Sequence, residues 1–192
     1  MEKKDIKILA VVGMCGSGKS TAIDYLIEKK IPKIYFGGII YKAMAEAGIE
    51  RTEDGESEKI FREEIRKKEG KDFVVKRVVK ETKDLIAAGQ KRIVLDGLYS
   101  WTEYKILRKE FPNEMTVVAI VLPKALRRKR LAERPERPFT AAEVAERDRS
   151  EIENLEKGGP IAIADYYVDN SADIKTFHEK FGQLMKEIKF ID

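Results

Sequence analysis

Five short apolar runs recur along the chain, separated by longer stretches in which apolar residues repeat with the period of a helix. The runs cover residues 6–12, 31–36, 92–96, 115–122 and 165–169. Runs of this length that are rich in β-branched residues are typical of buried strands. Because strands alternate with helices, the pattern predicts right-handed βαβ units and an α/β fold, with a five-stranded, mostly parallel sheet between two layers of helices.

Terminal signals divide the stretches between the runs into helices. Asp72, Thr140 and Ser171 are the expected N-caps, and Glu143 completes a capping-box pattern with Thr140. The sequence Gly158-Gly159-Pro160 predicts that the helix before it ends there. Helices are therefore expected from residue 19 onward, over 39–47, 57–69, 72–89, 101–109, 124–133 and 140–156, and from residue 171 onward.

Two stretches interrupt the alternation of strands and helices. Residues 38–70 are helical and polar throughout, and residues 134–160 are rich in arginine and flanked by prolines and glycines. In an open parallel sheet, ligands bind at the carboxyl ends of the strands, and we expect both insertions to lie there. We predict one domain over residues 1–192, with an acceptor-binding insertion at about 38–70 and a lid at about 134–160.

Composition narrows the class of protein. The 192 residues are 43% hydrophobic and 38% charged, the balance of a globular domain with a heavily charged surface. The net charge of +4, from 38 basic and 34 acidic residues, is too mild for a general nucleic-acid binder. A single cysteine excludes an internal disulfide, and no apolar run approaches the length of a membrane span or of a signal peptide. We therefore expect a cytoplasmic protein without a membrane partner.

A phosphate-binding loop follows the first apolar run. The P-loop pattern is G-x-x-x-x-G-K-[ST], and residues 13–20 match it with the sequence GMCGSGKS. Its glycines let backbone N–H groups point inward around an anion, and the next helix adds its positive end. A chance glycine turn is disfavoured by the strand before the loop and the helix after it. The motif predicts nucleoside triphosphate binding by Gly13, Cys15, Gly16, Ser17, Gly18, Lys19, Ser20 and Thr21, with Lys19 on the phosphates and Ser20 on Mg²⁺.

An aspartate closes the third apolar run. Asp96 is placed to hold Mg²⁺ beside the P-loop, usually through water molecules, although a helix-capping role is the alternative. Gly97 follows it where hydrolytic P-loop motors carry a glutamate, and the chain has neither an LSGGQ-like run nor an N-K-x-D motif. These absences argue against a transporter ATPase or an ordinary GTPase. They favour phosphoryl transfer to a bound acceptor over transfer to water.

Arginines are concentrated in the sixth predicted helix and in the second insertion. Phosphoryl transfer requires charge neutralisation over the γ-phosphoryl oxygens, and arginines on a closing lid supply it while water is excluded. The alternative is a solvated basic helix that pairs with neighbouring glutamates. The first three arginines have the spacing i, i+3 and i+7 of a single helix face. The cluster comprises Arg127, Arg130, Arg134, Arg137, Arg147 and Arg149.

These motifs together resemble the adenylate-kinase-like superfamily of P-loop nucleotide kinases. The shared features are the loop GMCGSGKS, the strand end VLDG, the R-x-x-R-x-x-x-R helix and the lid sequence RDRSE. Within the superfamily, the chain is similar to a mainly archaeal group of nucleotide-kinase-like proteins labelled as related to dephospho-CoA kinase. The resemblance extends from residue 8 to about 177 and includes Arg147-Asp148, Ala164-Asp165 and Asn170.

The resemblance implies a five-stranded sheet with a moving lid, and ATP and Mg²⁺ as the ligands. It implies that Lys19 and Ser20 bind the ATP phosphates and Mg²⁺, and that Asp96 organises the metal. It further implies that Arg130 stacks on the adenine, that Arg134 contacts the transferring phosphate and that Arg147 closes from the lid.

The acceptor is less well defined. Nucleoside monophosphate kinases carry an arginine at the end of a G-D-x-x-R piece, where this chain has Tyr41, and the group carries another where Tyr99 or Ser100 stands. Lys42, Arg62 and Arg66 are partial replacements, and the tyrosines are able to stack on a base. No acid follows the second apolar run, which weakens a dephospho-CoA kinase role. The candidate acceptor-binding residues are Gly37, Tyr41, Lys42, Arg66, Gly97, Tyr99 and Arg137.

The sequence therefore predicts an ATP- and Mg²⁺-dependent phosphotransferase acting on a small phosphorylated acceptor, a nucleoside monophosphate or a related metabolite. Three alternatives stay open: a nucleotide-binding switch without turnover, a dephospho-CoA kinase-like enzyme and a polynucleotide 5′-kinase. The mild charge and the lack of interleaved aromatic and basic residues disfavour nucleic acid as a partner. The sequence leaves the oligomeric state and the choice between ATP and GTP open.

Overall fold

A parallel five-stranded sheet forms the centre of the molecule. The computed structural model describes residues 5–52, 56–70, 72–135 and 138–192, and the sheet lies within these residues. The spatial order of the strands is β2-β3-β1-β4-β5, and every neighbouring pair is parallel. The strands are β1 (Lys7–Val12), β2 (Lys33–Tyr35), β3 (Arg92–Asp96), β4 (Met115–Val121) and β5 (Tyr166–Asp169).

Helices cover both faces of the sheet and form two hydrophobic cores. Alternate residues of β1 enter different cores, with Ile8 and Ala10 on one side and Leu9 and Val11 on the other. Burial on both sides explains why the strand reads as a continuous apolar run. The helices are α1 (Lys19–Ile27), α2 (Phe36–Glu46), α3 (Glu56–Glu69), α4 (Phe73–Ala87), α5 (Trp101–Glu110), α6 (Lys124–Ala132), α7 (Ala141–Glu153), α8 (Gly158–Ala162) and α9 (Ile174–Glu187).

The first core lies under α2, α4 and α5, and the second lies under α1 and α9. In the second core, the rings of Phe177 and Phe181 stack with centroids 5.8 Å apart and are fully buried. The first insertion joins the first core through Met44 of α2 and Phe61 of α3. None of the helices in the described part of the chain is both long and apolar enough to cross a bilayer.

The predicted three-layer architecture and its five parallel strands are confirmed, and the corrections concern helix ends. The predicted break at residues 158–160 is instead the short helix α8, in which Pro160 is tolerated because an N–H in the first turn has no partner within the helix. Asp173, not Ser171, caps α9 by accepting from the Thr176 N–H. The hydroxyl of Ser171 donates instead to Asp169.

Two further helix starts differ from the prediction. Asp72 is the N-cap residue of α4, but its side chain makes no capping hydrogen bond and pairs with Lys76 at 2.9 Å. Helix α2 begins at Phe36, immediately after β2, so Gly37 and Gly38 are helical, whereas the helix was predicted to start at residue 39. The sheet and α2 are thus joined without a loop at the carboxyl end of β2.

Candidate active site

The P-loop occupies the turn between β1 and α1, at the centre of the sheet. Gly18 has φ +97°, and a Cβ there would lie 2.1 Å from Nδ2 of Asn170. That amide donates to the carbonyl of Ser17 at 2.8 Å. Residue 18 must therefore lack a side chain both for its backbone angle and for this close contact. The loop conformation predicted from the motif is thereby held by the residue that follows β5.

Lys19 lies in a desolvated position at the start of α1. Gly18 is the N-cap and offers no side chain, so the first amides of α1 have no side-chain capping bond. The ammonium of Lys19 donates to the Met14 carbonyl at 3.0 Å. Burial, reinforced by the nearby charge of Lys157, lowers the pKa of Lys19 to about 8. A partly buried ammonium at a helix N-terminus is suited to bind an anion.

A cleft of about 550 Å³ opens above the P-loop and gathers most of the predicted donor-binding residues. Gly13 and Ser17, by contrast, are buried in the loop and do not line it. The predicted residues that line the cleft are Cys15, Gly16, Gly18, Lys19, Ser20, Thr21, Tyr99, Arg130, Arg134 and Arg147. Other lining residues, to which the sequence assigned no role in binding, are Glu151, Lys157, Asn170, Ala172, Asp173 and Ile174.

The arginines near the cleft differ in how they are held. Arg130 donates to the carbonyls of Asn170 at 2.7 Å and Ala172 at 2.9 Å, which fixes its guanidinium against the loop after β5. Arg134 lies beyond the end of α6 at Ala132, so it does not continue the helix face predicted for it. Arg147 reaches the cleft from α7, where its Nε donates to Glu151 at 3.3 Å.

Arg127 has a role that the spacing of arginines did not predict. It is buried, and both terminal nitrogens donate to Asp148 of α7 at 2.7 Å. One of them also donates to the Cys15 carbonyl at 3.0 Å. Arg127 therefore connects α6, α7 and the P-loop, and unlike Arg130 it does not line the cleft.

A buried carboxylate contacts the P-loop directly. Glu151 of α7 accepts the Cys15 N–H at 2.9 Å and the Lys157 ammonium at 2.6 Å. Burial alone would raise the pKa of Glu151, but Lys157 outweighs it, and the pKa is lowered. The i, i+4 spacing of Arg147 and Glu151 is visible in the sequence. Nothing in that spacing indicates that the carboxylate points at the P-loop.

Asp96 ends β3 next to Val11 of β1, and it therefore lies beside the P-loop, as the sequence predicts. Its carboxylate lies 3.7 Å from the Lys33 ammonium, and burial raises its pKa against the opposing charges of Lys33 and Lys19. The capping alternative for Asp96 is wrong, because Ser100 is the N-cap of α5 and forms a capping box with Glu103. Asp96 does not line the cleft itself.

The donor set at this edge fits Mg²⁺. It consists of the Ser20 hydroxyl and the Asp96 carboxylate, both hard oxygen ligands. Within the described residues, no group of three or more His, Cys, Asp or Glu side chains could hold a metal by itself. A magnesium ion here would take its other ligands from phosphate and water, as is usual for that ion.

Tyrosine rings cover the two glycines that the sequence predicts to bind the acceptor. A Cβ on Gly37 would lie 2.5 Å from the hydroxyl of Tyr35, and a Cβ on Gly97 would lie 2.9 Å from the ring of Tyr99. Burial raises the pKa of Tyr99, so the phenol stays protonated at neutral pH. These glycines make room for aromatic rings next to Asp96.

The other predicted acceptor residues are dispersed. The guanidinium of Arg51 stacks over the ring of Tyr41 at 3.9 Å, and its Nε donates to Glu58. Lys42 turns to α4, where it pairs with Glu81 at 2.7 Å. The side chain of Arg66 and all of Arg137 lie outside the described residues.

A second cavity of about 450 Å³ adjoins the first, and Tyr99 lines both. Its walls come from α3, from the start of α5 and from the segment after α7. The side chains on them are mostly polar, with three carboxylates and one ammonium. The lining residues are Glu63, Lys67, Tyr99, Ser100, Thr102, Glu103, Asn154, Leu155 and Glu156.

Comparison with known proteins places this site in a family. A family model described as an AAA domain matches residues 9–156. A UPF0200 protein of Sulfurisphaera tokodaii is 32% identical over 186 residues, covering 95% of this chain and 98% of that protein. The chain belongs to the UPF0200 family. A UPF0200/UPF0201 protein of Archaeoglobus fulgidus is 30% identical over 186 residues, and the match spans 96% of this chain but only 56% of that longer relative.

Several solved structures that are similar to this UPF0200 member are kinases. A dephospho-CoA kinase from Campylobacter jejuni superposes with a TM-score of 0.58 at 18% identity, over 96% of this chain and 98% of that one. A sugar kinase from a Janibacter species gives 0.59 at 15% identity, over 96% and 95% of the two chains. At these identities the likeness establishes a P-loop kinase-like fold. The resemblance to dephospho-CoA kinase is one of fold, since the sequence relatives named above carry the UPF0200 name.

Proposed function

We propose that the chain is an ATP- and Mg²⁺-dependent phosphotransferase that moves the γ-phosphoryl group to a small phosphorylated acceptor, a nucleoside monophosphate or a related metabolite. The observation that carries this proposal is the cleft above the P-loop. It combines the partly buried ammonium of Lys19 and the open N-terminus of α1 with the guanidinium groups of Arg130, Arg134 and Arg147. This concentration of positive charge suits a polyphosphate and the charge that develops during its transfer.

The strand order supports one orientation of the proposed nucleotide in the cleft. The P-loop follows β1. The cleft wall that begins at Asn170, called the Asn170 wall, follows β5, and Tyr99 follows β3 on the opposite side. With its base against Arg130 and the Asn170 wall, the nucleotide would extend along the P-loop. Its terminal phosphate would then point towards Tyr99 and the second cavity.

In the proposed reaction, an acceptor oxygen forms a bond to the γ-phosphorus while the bond to the β–γ bridging oxygen breaks. The electron pair of the broken bond stays on the departing ADP. Lys19, Arg134 and Arg147 neutralise the phosphoryl oxygens, and α7 limits the access of water. Mg²⁺, held through the Ser20 hydroxyl and Asp96, supplies further charge neutralisation when it is bound.

A phosphate acceptor fits the lack of a carboxylate directly after β2, the position expected for a general base that activates a hydroxyl acceptor. A phosphate oxygen is already ionised at neutral pH, whereas a hydroxyl acceptor must lose its proton. No carboxylate follows β2, where the chain reads Tyr35-Phe36-Gly37-Gly38. The positive charges of Arg51 and Arg62 interact with Tyr35, on the side where the acceptor would bind. The surface of the second cavity is more apolar than polar, which suits the uncharged part of such an acceptor.

An acceptor panel tests the proposal. The full chain is incubated with Mg-ATP and nucleoside monophosphates, dephospho-CoA and hydroxy acids, and both ADP and the phosphorylated product are measured. We expect product from at least one phosphorylated acceptor and none from a Lys19→Met variant. Steady ADP release with no phosphorylated product from any acceptor would count against phosphoryl transfer.

A nucleotide-operated switch is a second candidate, favoured by the hydrogen bond between the Cys15 N–H and Glu151. This bond connects the P-loop to α7, so phosphate binding in the loop would change the position or the stability of the helix. Tight ATP binding without turnover, together with a change in hydrogen exchange along α7, would favour the switch over the kinase.

A further inference from the structure

Two buried, oppositely charged side chains line the nucleotide cleft beside the P-loop. The Nζ of Lys157 lies 2.6 Å from Oε1 of Glu151, and the exposed fractions of the two side chains are 5% and 1%. Lys157 precedes α8, and Glu151 lies near the end of α7. Both side chains reach the cleft that also contains Lys19.

A stability role does not account for this pair. Removing two charges from water costs about as much as their attraction returns, so hydrophobic replacements of buried pairs are often neutral or stabilising. Glu151 accepts hydrogen bonds from three donors: Lys157, the Cys15 N–H and Arg147. Lys157 carries three N–H groups, and within the described residues only one of them has an acceptor.

The position of Lys157 matches the expected place of the terminal phosphate. Its ammonium lies 4.7 Å from the centroid of the Tyr99 ring, on the β3 side of the P-loop. Tyr99 lines both cavities, and residues 154–156, just before Lys157, line the second one. Lys157 therefore stands where the donor cleft meets the second cavity.

We propose that Lys157 is a second ammonium ligand of the terminal phosphoryl group of the bound triphosphate, and that Glu151 is the positioning residue that orients it. The proposal rests on the proposed function. The γ-phosphoryl oxygens accept hydrogen bonds from the N–H groups of Lys157 that Glu151 leaves unused. Lys19 contacts the donor from the P-loop, and Lys157 contacts it from the side on which the acceptor arrives.

Binding of triphosphate and diphosphate analogues separates this role from a structural one. The Glu151→Gln variant keeps the shape of the pair without the carboxylate charge, so Lys157 can be removed from that background without leaving an unpaired buried charge. By calorimetry, Glu151→Gln/Lys157→Met should bind a Mg-bound non-hydrolysable ATP analogue about tenfold more weakly than Glu151→Gln, the loss expected for one charge-assisted contact. The affinities for ADP should agree within about twofold, because ADP lacks the phosphate in question. Glu151→Gln/Lys157→Arg should recover most of the triphosphate affinity.

Equal losses for both nucleotides, or no loss for either, would overturn the proposal. Lys129→Met, which removes an exposed ammonium from α6, is the matched control and should change neither affinity. The test requires no acceptor and no turnover. If removing Lys157 leaves the affinity for the ATP analogue unchanged, in a protein that still binds the analogue through Lys19, this inference alone is contradicted. Undiminished binding by Lys19→Met would instead contradict the proposed function.

Discussion

Lys19 is the residue on which the proposed nucleotide binding depends most, and its proton equilibrium can be measured. Burial and the charge of Lys157 lower its pKa to about 8 in the free protein. A polyphosphate favours the protonated form, so binding takes up a proton once the pH exceeds that value. Affinity for an ATP analogue should therefore be nearly constant below pH 8 and fall by up to about tenfold per pH unit above it.

Calorimetry between pH 6.5 and 9.5 measures this dependence. The matched variant is Lys19→Arg, whose guanidinium keeps its charge over the whole range. The variant should show a much flatter profile than the wild type, whatever its absolute affinity. A wild-type affinity that does not change up to pH 9.5, or the same fall in the arginine variant, would contradict the titration of Lys19.

The backbone at Gly18 yields a second prediction. An alanine there would adopt φ +97° and place its Cβ 2.1 Å from Asn170, displacing the amide that supports the Ser17 carbonyl. Gly48 is the control, since its φ is +68° but no atom lies within 4 Å of an added Cβ. Urea unfolding should show a loss of about 1 kcal/mol for Gly48→Ala and about 3 kcal/mol for Gly18→Ala. Equal losses would contradict a steric role for Asn170.

Individual site residues differed in how far the sequence predicted them. Lys19, Ser20 and the loop glycines are set by one local pattern, because strand, turn and helix suffice to place them. Glu151 and Lys157 come to the P-loop only when α7 docks against it, and no local pattern encodes that docking. Tyr99 was identified as a departure from the family pattern, and it proved to line both cavities.

At the scale of elements, Arg127 links α6, α7 and the P-loop. Its pair with Asp148 is largely buried, with exposed side-chain fractions of 7% and 14%. Removing one partner leaves a charge in a site where water cannot replace it, so Arg127→Met should cost about 3–5 kcal/mol of unfolding free energy. The double variant with Asp148→Leu should lose less than the sum of the two single variants.

Urea unfolding of the four proteins in this cycle measures the coupling. The exposed pair of Arg149 and Glu146, both within α7, is the control, and Arg149→Met should change stability by no more than about 0.5 kcal/mol. Strictly additive effects of Arg127→Met and Asp148→Leu would show that the two side chains do not act as a unit.

Helix α7 begins with the capping box that the sequence predicts. Thr140 accepts the Glu143 N–H at 3.2 Å, and Glu143 accepts the Thr140 N–H at 2.7 Å. Thr140→Ala should destabilise the first turn by about 1 kcal/mol and speed amide exchange there. Thr102→Ala, in a helix where Ser100 is the cap, should leave exchange in α7 unchanged. Unaltered exchange in Thr140→Ala would mean that the box adds nothing to α7.

The prediction of a helix end was correct where one strong signal stood alone, and it was wrong where two signals competed. Thr140 with Glu143 is such a single signal. Near α9, Ser171 and Asp173 are both good caps, and the hydroxyl of Ser171 is taken by Asp169. Helix α8 escaped prediction because Gly-Gly-Pro normally signals an ending, although proline suits a first turn.

At the scale of the whole molecule, periodicity was sufficient for the layers but not for the order of the strands. Five apolar runs and their intervening helices imply a parallel sheet with two covered faces, and the two hydrophobic cores follow from the alternation along β1. Strand order depends on contacts between distant segments. The observed order puts the P-loop between Asp96 and the residues that follow β5. The proposed placement of donor and acceptor depends on that order.

Capture of a triphosphate by the P-loop is the claim on which the rest of this account depends. Isothermal titration of the full chain with a Mg-bound non-hydrolysable ATP analogue measures it directly, beside Lys19→Met and the exposed-lysine control Lys129→Met. We predict one site per chain, a loss of about 100-fold in affinity for Lys19→Met, as expected when a buried charge partner is removed, and no change for Lys129→Met. Wild-type protein that gives no binding heat at several temperatures, or Lys19→Met protein that binds as the wild type does, would contradict the account.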